Sequence, residues 1–96
     1  MANANIRNDN QYTYISSATE TAVDTGQGSL VAIVVTETAA GAITIADAVS
    51  GTTPAIAVLK ASIAEGTYTF NVRYKTGLVI TTAGASKLTV ISTPSN

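Results

Sequence analysis

From Thr67 to Lys75 the side chains alternate without a break. Tyr68, Phe70, Val72 and Tyr74 fall on one side, and Thr67, Thr69, Asn71, Arg73 and Lys75 on the other. A period of two belongs to an extended strand with one face in a core and one in water. It restricts the chain to sheet architectures, because a segment patterned this way has no apolar stripe to offer as a helix. The rest of the sequence agrees. It holds sixteen Thr, nine Val and nine Ile among 96 residues, and β-branched residues fit a pleated, half-buried surface.

Turn signals cut the chain into short pieces. Tyr12 to Ala18 is aromatic and β-branched, and Thr19 to Thr25 has room for a minor strand. Gly26-Gln27-Gly28 marks a turn before Ser29 to Thr36, a nearly continuous apolar run that reads as a central strand. Ala39-Ala40-Gly41 turns the chain into Ala42-Ile43-Thr44-Ile45-Ala46-Asp47, which alternates again, and Ser50 to Pro54 forms a loop. In Ala55 to Ala64, Ile56, Leu59 and Ile63 have helical spacing, while Ile56 and Val58 also fit a strand. The short length favours a strand over Ala55–Lys60, with room for one helical turn at Ala61–Glu65. Leu78 to Thr82 and Lys87 to Ser92 are the last strands. Thr38 to Ala42 and Thr82 to Ala85 resemble each other, and both read as hairpin turns. Seven to eight short strands at this spacing predict an all-β chain: an antiparallel β-sandwich, jelly-roll-like. The expected organisation is an extended N-terminal arm over residues 1–11 and one sandwich domain over 12–96.

The chemistry open to such a chain is narrow. It has no Cys and no His, so disulfides, thiolate catalysis and a Ser-His-Asp triad are excluded, and a zinc site would need carboxylates alone. No glycine-rich phosphate loop or calcium loop is present. Glu37 and Asp47 would approach each other across the first expected hairpin, but nothing in the spacing of the six acidic residues forms a catalytic pair. The chain reads as no enzyme, with no cofactor and no metal. A net charge of −1 and five scattered basic residues argue against nucleic acid. The longest strongly apolar run, Leu30–Val35, is far too short for a membrane helix, and the Asn-rich start lacks the apolar core of a signal peptide, so the expected site of synthesis is the cytoplasm.

Only 11% of residues are charged, and mean hydropathy is +0.30. A small domain has a high ratio of surface to volume, so this much apolar character predicts that part of the surface is covered by other protein. Tyr12 and Tyr14 share a strand face and suit either an interface or a sugar-stacking platform.

Four segments carry a family resemblance: Gly41 to Asp47, Gly66-Thr67-Tyr68-Thr69-Phe70, Thr76-Gly77-Leu78-Val79-Ile80 and Leu88-Thr89-Val90-Ile91. Over roughly residues 28–92 the chain resembles small β-sandwich structural proteins of tailed bacteriophages, of the capsid cement or decoration type. The resemblance implies a virion location on the capsid surface, a homotrimer, and the major capsid protein as partner. The expected contact residues are Asn3, Asn5, Ile6 and Arg7 in the arm, with Tyr12 and Tyr14 beside it. The alternatives are a fibre base or tail protein, and a carbohydrate- or cell-surface-binding module.

Overall fold

A computed structural model describes residues 10–38 and 40–94. They form eight strands: β1 (Gln11–Ile15), β2 (Glu20–Thr25), β3 (Gly28–Glu37), β4 (Ile43–Ala46), β5 (Ala55–Leu59), β6 (Gly66–Tyr74), β7 (Gly77–Thr82) and β8 (Lys87–Pro94). The strands build two antiparallel four-stranded sheets, with orders β1-β8-β3-β6 and β2-β7-β4-β5. The pairs β1·β8, β2·β7, β3·β6 and β4·β5 are those of one long hairpin wound over on itself. This is a jelly roll.

The winding corrects the two expected hairpins. β3 and β4 lie in different sheets, as do β7 and β8, so residues 38–42 and 83–86 are crossovers between layers. Their likeness has a physical cause, because they run side by side. The Ala83 amide donates to the Ala42 carbonyl at 3.0 Å. A Cβ on Gly41 would strike the backbone of Ala83 and Gly84, so the close approach requires glycine there. The remaining connection in that series, β4 to β5, stays within one sheet.

The inward faces meet in a core of Leu30, Ile33, Ile45, Ile80, Leu88 and Val90, all fully buried, with their neighbours. β6 keeps the predicted alternation: its Thr, Asn and Arg residues are exposed and its aromatic side is half-buried or buried. β3 is central as expected, and both faces are at least half-covered over Gly28–Val35. The ambiguous segment is the edge strand β5, and Ala61–Ser62 forms a turn with Ser62 at φ 58° in place of a helical turn. At the N-terminal side, Gln11 is already paired with Ser92, so the strand begins inside the segment expected to be an arm. Residues 1–9 lie outside the described residues.

Candidate functional site

The two sheets treat their outer faces differently. On β2-β7-β4-β5, Val79 points away from the core and is aligned with Ala22 and Ala46, yet it is fully buried. Ala46 and Ala48 are buried with it, and none of the three belongs to the main core. The long β4–β5 loop returns along this face, with the Gly51 amide donating to Glu20 Oε1 at 3.2 Å. The loop is closed at its base by the Asp47 amide on the Pro54 carbonyl.

Its root is held by a carboxylate. Asp47 accepts hydrogen bonds from the amides of Lys75, Thr76 and Gly77, at 2.7–3.3 Å from Oδ1 and 2.9 Å from Oδ2 to Lys75. Burial pushes the Asp47 pKa up. The three amides and the Lys75 charge outweigh that and hold it below its ordinary value of 3.8. Beside it the buried Tyr74 hydroxyl donates to Asp24 Oδ2 at 2.6 Å. Burial, reinforced by the Asp24 bond and charge, raises the Tyr74 pKa well above that of an ordinary phenol.

Among the described residues, the face of β1-β8-β3-β6 has no such roof. Register places two rows across it, Tyr14–Thr89–Val34–Thr67 and Tyr12–Ile91–Ala32–Thr69. The rows carry no charge. Among the described residues, charged side chains of this sheet are paired at its margins, Lys87–Glu37 at one end (2.7 Å) and Arg73–Gln27 at the other (3.3 Å). The Glu37 hydrogen bond, and then its charge, raises the Lys87 pKa. Tyr12 is 76% exposed and Tyr14 54%, the one at a corner of the sheet and the other further along the same edge. Large, rigid side chains on a flat, uncharged surface suit contact with another macromolecule more than enclosure of a small one.

Of the residues expected at an interface, the structure places Tyr12 and Tyr14 together on one face. Asn3, Asn5, Ile6 and Arg7 lie outside the described residues. The chain enters β1 at the corner beside the end of β8, where the Thr93 hydroxyl donates to Asn10 Oδ1. Glu37 and Asp47 do not meet: Glu37 pairs with Lys87 at one end of the sandwich and Asp47 serves the β6–β7 turn at the other. Among the described residues no group of three carboxylates is placed to hold a metal, and no helix is long and apolar enough to cross a membrane.

Sequence reasoning missed the Asp47 clamp and the Tyr74–Asp24 bond. One signal was available for the second: an aromatic on the inward side of β6 that carries a hydroxyl needs a buried partner. Comparison with family models, curated proteins and solved structures finds no match.

Proposed function

We propose that this chain is a structural protein of a bacteriophage virion, a cement or decoration subunit that bridges capsid proteins of the assembled shell as a homotrimer. The observation that supports it is the β1-β8-β3 face, left open among the described residues, where Tyr12 and Tyr14 stand exposed in rows that carry no charge. Jelly rolls serve in viral capsids and also in lectins, so the fold alone does not choose between them. The low charge and apolar surplus of the whole chain favour a subunit held among other proteins over a solitary module. The action is mechanical. A protein that binds the assembled shell and not its free subunits stabilises the shell by mass action. The trimer and the capsid partner come from the family resemblance.

The test is co-sedimentation of the full chain with empty shells of a tailed phage and, separately, with unassembled capsid protein. Binding to shells alone, with a rise in their melting temperature, is the expected result. A chain lacking residues 1–9 should keep its fold and lose the shell. Absence of shell binding overturns the proposal. Binding to a glycan array that is lost in Tyr12→Ala or Tyr14→Ala moves the assignment to a carbohydrate module.

A further inference from the structure

The jelly roll leaves four strand edges, and three of them are guarded. β2 carries Glu20 and Asp24 and a break in register between Ala22 and Asp24. β6 has a bulge opposite Leu30–Ala32, with Asn71 at φ 52°, and carries Arg73. β5 has an extra residue, Ile56, between the partners of Ile45 and Ala46. Charges and bulges of this kind are the usual devices that stop a sheet from adding a strand.

β1 has none of them. Gln11-Tyr12-Thr13-Tyr14-Ile15 holds unbroken register with Ser92 through Leu88 and contains no charge, Gly or Pro. On its other side, among the described residues, no strand is paired. That side presents backbone N–H and C=O groups that only another extended segment satisfies in order.

We propose that the free edge of β1 pairs antiparallel with β1 of a second copy, about a two-fold axis at Thr13. The segment is symmetric in the required sense, since Tyr-Thr-Tyr reads the same in both directions. With Thr13 opposite Thr13, Tyr12 of each copy faces Tyr14 of the other on the outer face. Cross-strand aromatic pairs are favourable, and no like charges are brought together. The same operation about Ala22 of β2 would set Glu20 of each copy opposite Asp24 of the other, acid against acid. The product is one continuous sheet of eight strands carrying four tyrosines in a single patch. The inference rests on the proposed function only in treating that patch as the surface offered to the shell. The contact is isologous and closes at two copies. Beside a separate three-fold contact it links a subunit of one trimer to a subunit of another.

Because the chain has no Cys, a single introduced thiol reports the register. Directly opposed residues in an antiparallel pair have Cα atoms about 4.5–5.5 Å apart, inside the range a disulfide spans. Thr13→Cys, oxidised in dilute solution, should give a covalent dimer of twice 9.7 kDa on a denaturing gel. Its rate should exceed that of Val58→Cys, exposed on the β5 edge, by roughly tenfold or more, because pairing raises the effective thiol concentration. Adding Tyr12→Lys and Tyr14→Lys to Thr13→Cys opposes like charges and should abolish the difference.

Equal rates for Thr13→Cys and Val58→Cys overturn the contact. If Thr13→Cys does not fold, mixed Tyr12→Cys and Tyr14→Cys chains carry the test: the mixture should cross-link faster than either alone, and no difference overturns the proposal. Shell sedimentation of the unmodified chain separates the two readings. Cross-linking without shell binding keeps the β1 contact and removes the virion role. Shell binding without cross-linking does the reverse.

Discussion

A single carboxylate does at Asp47 what a longer turn sequence would otherwise have to do. It gathers three consecutive amides, Lys75, Thr76 and Gly77, where β6 turns into β7. Asp47→Ala should lower stability by about 1–3 kcal/mol, the scale of hydrogen bonds to a charged group, read as a shift in the urea midpoint with an unchanged slope. The pH dependence has a definite sign. The folded-state pKa is depressed, so this contribution is complete above the ordinary value of 3.8 and is lost as pH falls through the lower folded value. The difference in urea midpoint between the wild type and Asp47→Asn should therefore be constant from pH 7 to pH 5 and shrink towards pH 3. Tyr74 behaves in the opposite direction. Its pKa is raised, so its contribution is complete below about pH 10, the unfolded phenol value, and is lost as pH rises towards the folded value. Tyrosinate absorbance should show one ring in the wild type keeping its proton past pH 10 until the fold opens, and that ring should be missing from Tyr74→Phe. Gly28 lies against the hydroxyl end of this side chain, and a Cβ there would collide with it and with the Thr93 carbonyl. The alternation of β6 marks Tyr74 as inward-facing, but nothing in the sequence names Asp24 as its partner or Asp47 as a clamp.

At the scale of elements, the strands were legible and their partners were not. Period-two alternation marks β4 and β6 because each has one side facing the core. The same signal fails to say which sheet a strand joins, since inward and outward positions look alike in either layer. Thr38–Ala42 and Thr82–Ala85 show the limit well. Their shared small residues suggest two local turns, whereas the reason for smallness is that the two crossovers touch. Gly41→Val should therefore act on both. Overpacking against a fixed backbone costs about 1–3 kcal/mol, and the loss should be visible as faster amide exchange at residues 83–86 as well as at residues 38–42. A true hairpin turn would confine the effect to its own strands. A similar tie holds the β1–β2 connection, where buried Thr82 donates through its hydroxyl to the Ser17 carbonyl at 2.6 Å.

For the molecule as a whole, winding has a kinetic consequence. Only β4·β5 joins neighbours in sequence, while β1·β8 brings together the two ends of the described chain. Loops this long must close before their contacts form, so folding should take milliseconds to seconds despite the small size, as stopped-flow refolding by tyrosine fluorescence would show. Winding also creates the asymmetry between a roofed face and a bare one. The β4–β5 loop is long enough to return over β7, and among the described residues no connection on the other side has that reach. The sequence by itself determined that this chain is all-β, where most strands run, that Tyr12 and Tyr14 share a face, and that chemistry needing Cys or His is closed to it. These follow from side-chain periodicity and residue chemistry, which are local. Only the tertiary structure decided which strands pair, which crossovers touch, where Asp47 and Tyr74 find partners, and which of the two outer faces stays open. Those depend on contacts between residues dozens of positions apart, and a local pattern holds no record of the distance at which it will be matched.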